Sequence, residues 1–253
     1  KVEVGITTGA NPYFTISKNV VEDFGLQEYV VPMVGRSVQV QSIRFTTEDW
    51  NLNYENEKVR SSLVTFPQVP FEKLNISGQK YVKFGEDNYI NKGYKTGIRD
   101  FWYCVPSLRI SSALFIRRNN HYPKLIVNEA NAYTTDTMHR VSAKEDISIN
   151  ALVASYYNSL SFAFAEVSGR SHGGGVLELM PNEAENILLP YNPQNENLLH
   201  DIDYMMRAGN TIEQILEFTN QIILRDHYNL TDNEIDIANS IWKKLKNRRL
   251  NRS

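Results

Sequence analysis

The residue pattern predicts an α+β fold in which short strands come first and helices last. Three observations carry this reading. The apolar runs up to Val141 are short, and several alternate apolar with polar residues as strands do. From Ile149 onward the apolar residues recur at three- and four-residue steps. Two capping boxes, Thr211 with Gln214 and Thr231 with Glu234, mark helix starts near the end.

Taken in order, Val4-Gly5-Ile6 and Tyr13-Phe14-Thr15-Ile16 are apolar runs joined by the polar residues 7–12, a hairpin or a strand–loop–strand. Asn11-Pro12-Tyr13-Phe14 superficially matches the Asn-Pro-Pro-Tyr loop of amino-methyltransferases. The second proline is missing and no cofactor motif precedes it, so it is not read as catalytic. Ser17 can cap a helix over 18–24 that stops at Gly25. Residues 30–34, 38–45 and 63–66 read as strands, with Gly35-Arg36-Ser37 as a polar turn and 47–60 as a polar loop. Helical spacing covers 79–92. Two more strands cover 113–117 and 124–128, and 132–141 is a strand or a bulged loop. One long helix is expected over 149–166. Further helices follow over 181–189, 196–208, 211–227 and 231–249.

The stretch from Asn158 to Pro190 stands out. Its apolar helix runs into a turn with Gly169 and Gly173-Gly174-Gly175, where Arg170, Ser171 and His172 put cationic and hydrogen-bonding groups beside free backbone N–H. Such a turn suits a phosphate or a nucleic-acid backbone. A tight helix-to-strand connection that needs glycine only for geometry is the alternative.

Charge is uneven. The net charge is only −2, yet residues 92–144 hold nine Lys/Arg against three acids, and residues 172–236 hold twelve acids against Arg207 and Arg225. A basic middle beside an acidic flank is how a one-sided nucleic-acid binder looks. The basic end, from Lys243 to Arg252, reads as a solvated run. Aromatics interleaved with Lys95 and Arg99 suit base stacking or a packed strand, and Trp102 reads as core.

Several chemistries are missing from the pattern. Cys104 is the only cysteine, which excludes an internal disulfide, fits a reducing cytoplasm and reads as a buried strand residue. Five scattered histidines give no metal-ligand spacing. No nucleotide-binding glycine loop occurs, and no apolar run approaches the roughly 20 residues of a membrane span. The start at Lys1, already strand-like, reads as a piece of a longer chain.

Several blocks come in a familiar order: Gly5 to Asn11 with Phe14, Val34-Gly35-Arg36, Tyr94-Lys95 to Trp102-Tyr103, Asn128-Glu129, Thr135, Thr137 and His139-Arg140. Asn158-Ser159 then leads to Gly169-Arg170-Ser171, to Gly173 through Leu179, and to Pro181 with Glu183. This resembles the C-terminal half of gamma-class adenine-N6-specific DNA methyltransferases of type II restriction–modification systems. The resemblance implies a mixed, mostly antiparallel-sheet recognition domain (1–190) like those of type I specificity subunits, followed by a C-terminal helical bundle (191–253). It implies double-stranded DNA and the parent's methyltransferase domain as partners, and no cofactor or catalytic residue in this chain. S-adenosylmethionine would belong to the parent. The candidate DNA contacts are then Arg36, Lys95, Arg99, Thr135, Thr137, His139, Arg140, Arg170, Ser171 and His172, with Thr134 beside them. Thr8 and Asn11 would line the face towards the parent's other domain. The rival reading is a docking module whose acidic helices bind a nuclease or a second subunit.

Overall fold

The structure is a computed structural model and describes residues 1–251; Arg252 and Ser253, at the end of the basic tail, lie outside the described residues. The first elements are β1 (Val2–Val4), α1 (Asn11–Phe14), β2 (Thr15–Ile16), α2 (Lys18–Phe24), β3 (Val30–Pro32), β4 (Arg44–Phe45), α3 (Thr47–Glu55), β5 (Ser62–Val64) and α4 (Ile76–Asp87). Helix α2 ends where glycine permits it: Gly25 takes φ +68° and its N–H bonds the Val21 and Glu22 carbonyls. Strands β2, β5 and β3 form a small antiparallel sheet. Its core includes Phe14, Ile16, Leu63 and Tyr81. Tyr13 and Tyr81 stack with centroids 4.6 Å apart. Each hydroxyl donates to the other's backbone carbonyl, at 3.0 and 2.7 Å, so two aromatic bodies are buried without an orphaned polar tip.

Next come β6 (Ala113–Ile116), β7 (Arg118–Asn119), β8 (Leu125–Asn128) and β9 (Met138–Val141). The central sheet has the order β1-β9-β6-β8-β4, antiparallel except where β4 runs parallel to β8. Its side chains alternate between faces, as the strand period requires. Ala113, Phe115, Leu125 and Val127 face the large helical core, and Leu114, Ile116, Ile126 and Met138 face a smaller one with Val34 and Phe45. All of β6 is buried because both faces are covered.

The helical half holds α5 (Ile149–Tyr156), α6 (Ser159–Ser168), the hairpin β10 (Arg170–His172) with β11 (Val176–Glu178), α7 (Pro181–Glu185), α8 (Leu198–Arg207), α9 (Ile212–Asn220) and α10 (Asp232–Leu250). Both capping boxes form. Trp242 of α10 is fully buried, its ring centroid 5.6 Å from that of Phe162 in α6. Arg207 of α8 reaches back to both carboxylate oxygens of Asp49 in α3, each at 2.8 Å, a bidentate pair between the helices and the sheet's far edge.

Five local expectations are corrected. The polar residues 47–60 hold a helix, because Thr46 accepts from the Asp49 N–H and the Asp49 carboxylate accepts from the Thr46 N–H, a capping box with Asp at its third position. Most of 38–45 is not strand. The Gln39 side chain takes the Gly35 and Arg36 N–H groups, curling the chain into a tight turn that leaves Val38 82% exposed. Residues 11–14 are helical, across the expected boundary between a loop over 7–12 and an apolar run over 13–16, and β1 and β2 join different sheets. The long helix breaks at Asn158, which is extended and caps α6. Cys104 is buried but lies in a turn, not a strand, and burial pushes its thiol up to about 11.

Asn158 accepts from the Ser161 N–H at 2.9 Å and donates to the Ser155 carbonyl and the Ser161 hydroxyl at 2.7 and 3.0 Å, all out of solvent. Asn158→Ala is expected to cost about 2 kcal/mol, the loss of a cap plus stranded buried partners. Urea unfolding should then show a lower midpoint at an unchanged slope.

Candidate nucleic-acid interface

A turn over residues 133–137, buried at Thr134 and Thr135, builds the centre of the site. Ile6 donates to the Thr134 carbonyl at 2.8 Å, and Gly5 donates to the Met138 carbonyl at 3.1 Å. The Thr134 hydroxyl donates to the Val34 carbonyl at 2.8 Å, and Met33 bridges Tyr133. The turn therefore seams the small sheet to the central one, and a cleft opens beside the seam. Asn11, Gly35, Arg36, Gln39, Lys58, Arg60, Thr135 and Thr137 are among its lining residues, and no acid lines it. Arg36, Lys58 and Arg60 are exposed, and none of them enters an ion pair among the described residues. Thr137 is exposed with its hydroxyl 3.0 Å from that of Thr135, and Asn11 donates to Asp136 at 3.1 Å. Thr8 is buried beneath, donating to Asn11 at 2.5 Å, so these two brace the cleft's inner wall.

Beside the cleft a second cluster surrounds one carboxylate. Glu178 of β11 is buried, and Arg117 and Arg118 each place Nε at 3.0 Å from its Oε1. The His172 ring lies 2.8 Å from its Oε2. Burial alone would raise this carboxyl. Arg118, Arg117 and His172 outweigh that and hold it below its ordinary value. The outer cations stay open to solvent, with the Arg118 and Arg170 side chains 68% and 62% exposed. Arg170 pairs with Glu183 at 2.6 Å. Strand β10, with Arg170, Ser171 and His172 all exposed, projects as a hairpin whose tip turns through Gly174 and Gly175 at φ +73° and +69°. Arg117 also donates to the Asp136 carbonyl at 3.4 Å, so hairpin and cleft form one continuous polar strip.

The structure withdraws other expected contacts from solvent. His139 is fully buried, its Nε2 donating to the Leu179 carbonyl at 2.8 Å, and burial lowers its basicity. Thr134 and Thr135 are buried, serving the seam. Arg99 donates to the Thr8 carbonyl at 2.6 Å and the Cys104 carbonyl at 3.2 Å. Arg140 donates to the Val4 carbonyl at 3.0 Å and the Ser107 carbonyl at 3.2 Å. Both arginines tie backbone together instead of facing outward. Lys95 is exposed, its stem packed over Gly9. Lys58, Arg60, Arg117 and Arg118 escaped the sequence reading. Alternation of Lys58-Val59-Arg60 ahead of a strand was the available signal for the first two.

Residues 1–224 match the family of the C-terminal domain of the type II methyltransferase M.Eco57I. The chain belongs to this family. It is 27% identical over 188 residues to the type II methyltransferase M.AccI of Acinetobacter calcoaceticus, covering 72% of the chain and 34% of the relative. The chain thus spans about a third of that protein's length. Among solved structures it resembles the type IIG restriction endonuclease BpuSI, with TM-score 0.59 and 12% identity over all of the chain and 30% of that protein. It also resembles the type IIL restriction–modification enzyme MmeI in complex with DNA, with TM-score 0.55 and 10% identity over all of the chain and 33% of that protein. The expected mixed, mostly antiparallel fold and the resemblance to the C-terminal part of type II methyltransferases are borne out.

Because Glu178 is held below its ordinary value of 4.5, the unfolded chain takes up the proton first as pH falls. Its contribution is present above that value and lost below it. In thermal melts, the stability gap between wild type and Glu178→Gln should be widest near neutrality and close as the pH drops through and below 4.5. A gap that does not change with pH would remove the ion cluster as its cause.

Proposed function

We propose that this chain is the target-recognition part of a site-specific adenine-N6 DNA methyltransferase of a type II restriction–modification system. It binds duplex DNA and reads its sequence. Binding of S-adenosylmethionine and the methyl transfer belong to the parent's methyltransferase domain, in the cytoplasm. The observation that carries this reading is the cleft mouth, where among the described residues no acid lines the opening and Arg36, Lys58 and Arg60 stand exposed and outside any ion pair. Three cations left unneutralised at one opening suit the regularly spaced phosphates of a duplex, because each phosphate neutralised releases bound counterions. Hydroxyl and amide groups between them, on Thr137 and Asn11, supply the donors and acceptors that base edges or sugars need. Arg118, Arg170, Ser171 and His172 extend the strip along the hairpin, and Lys95 flanks the other side. Residues 1–190 form the recognition part and 191–253 the helical support.

The likeness to MmeI, solved in complex with DNA, supports the reading through the shared fold. Affinity for a random-sequence duplex should fall steeply between about 50 and 200 mM salt. Arg36→Ala, Arg60→Ala and Arg170→Ala should each weaken binding alike on every sequence and reduce the salt slope by about 1, at unchanged melting temperature. Wild-type binding that ignores salt, or its absence at low salt, would overturn the proposal and turn attention to the acidic helices.

A further inference from the structure

Residues 88–99 contain Lys92, Lys95 and Arg99 and no acid. The segment leaves α4 and folds into a tight surface loop, anchored inward by Ile90, Thr96 and Arg99 and with several other side chains in solvent. Tyr89, Tyr94 and Ile98 are 75%, 85% and 74% exposed, three large side chains in solvent on one short loop. Lys92 and Lys95 are exposed beside them. The loop is nonetheless fixed from within. Thr96 is fully buried, and its hydroxyl donates to the Ile90 and Gly93 carbonyls. Gly97 donates to the Gly93 carbonyl at 2.7 Å, and Lys92 donates to the Tyr89 carbonyl at 3.0 Å. A Cβ on Gly97 would lie 3.1 Å from the Gly93 carbonyl oxygen, so the coil is wound as closely as glycine allows. Tyr89 is held at φ +58°, a strained value for an aromatic residue.

The loop's end is tied to the segment that leads into the cleft wall at Asn11. Arg99 at its end grips the Thr8 carbonyl, and the Lys95 stem packs over Gly9. Thr8 in turn bonds Asn11, which lines the cleft. An ordered loop that presents an exposed tyrosine between two exposed lysines fits a base whose face has been uncovered. Aromatic rings stack on any base, and neighbouring lysines meet the phosphates on either side.

We propose that this loop is a preformed wedge, with Tyr94 stacking on an unstacked base of the bound duplex while Lys92 and Lys95 hold the flanking phosphates. The proposal rests on the DNA-binding reading above and extends it from phosphate contact to deformation of the helix. Preorganisation matters here, because a loop already fixed pays little ordering entropy when it inserts. Duplexes that open easily should then bind best.

The test uses the whole chain and two mixed-sequence duplexes, one intact and one with a single-base bulge at its centre, in fluorescence anisotropy titrations at several salt concentrations. Wild type should prefer the bulged duplex. Tyr94→Ala should lose that preference and bind it roughly five- to a hundred-fold more weakly, the range expected for one lost stacking contact. Its salt slope and melting temperature should not change, since the side chain is uncharged and exposed. Tyr94→Phe should keep the preference, and Lys95→Ala should lower the salt slope by about 1 while keeping it. Equal binding of both duplexes by wild type, or a Tyr94→Ala protein indistinguishable from wild type, would overturn the wedge and leave salt-dependent DNA binding standing. Absence of salt-dependent binding by wild type would overturn both readings together.

Discussion

The structure depends on the turn at residues 133–137. Its backbone is claimed from two sides: β1 and its extension bond the Thr134 and Met138 carbonyls, while the Thr134 hydroxyl reaches the Val34 carbonyl. Two sheets with separate cores meet across these few groups. The approach is so close that a Cβ on Gly5 would lie 2.1 Å from the Thr135 carbonyl oxygen. Any side chain there would push the sheets apart, and with them Asn11 and Arg36 on one wall and Thr137 on the other. The cleft is therefore a consequence of the seam. Its width is set by backbone hydrogen bonds and the absence of one methyl group.

That constraint explains why the densest cluster of polar residues in the sequence proved mostly internal. Thr134, Thr135 and His139 read as base-contacting groups because hydroxyls and imidazoles serve either purpose. Burial is decided by which backbone carbonyls lack a partner, and that is a tertiary fact. Arg99 and Arg140 follow the same rule, since each saturates carbonyls that the irregular segments around Thr8, Cys104, Val4 and Ser107 leave unpaired. In a fold with such short strands, side chains must supply hydrogen bonds that longer ladders would have made. Cations in the sequence are then a poor count of cations at the surface.

Regular elements were legible where a capping signal or a strand boundary coincided with an apolar period. Gly25 ended α2, and Thr211 and Thr231 opened α9 and α10, because capping depends on residues three or four apart. The alternating and buried runs that became β6 and β8 were legible for the same reason. At 38–45 and at 149–166 a side-chain amide redirects the chain. Gln39, in the expected strand, bonds back to the Gly35 and Arg36 N–H groups of the turn before it, and Asn158, inside the expected helix, takes the Ser161 N–H. Helix α3 was misread because its face toward the protein is polar, held by Asp49 and Arg207 instead of apolar contact. Of the proposed contact surface, Arg36 and the Arg170–His172 hairpin were legible, since turns that carry arginine among glycine and serine project by construction. Lys58, Arg60, Arg117 and Arg118 join them only through the seam and the β7–β11 pairing.

The helical half does more than cap the sheet. Arg249 of α10, its side chain 2% exposed, pairs with Glu166 of α6 at 2.7 Å and donates to the Gly175 and Asn120 carbonyls. A buried arginine of this kind is retained only where several acceptors share it, because its desolvation is costly. Here the acceptors are Gly175, where the hairpin turns, and Asn120 in the turn after β7. Open space surrounds the Cα positions of Gly173 and Gly174, and Asn120 donates to the Gly174 carbonyl at 3.4 Å. The hairpin's turn is clamped from the C-terminal helix while Arg170, Ser171 and His172 stay in solvent. Charge is thereby divided along the chain: Arg207 and Arg249, with buried carboxylate partners, fix the scaffold, while Arg36 and Arg60 stand exposed at the cleft. A net charge of −2 averages over that division and does not report it.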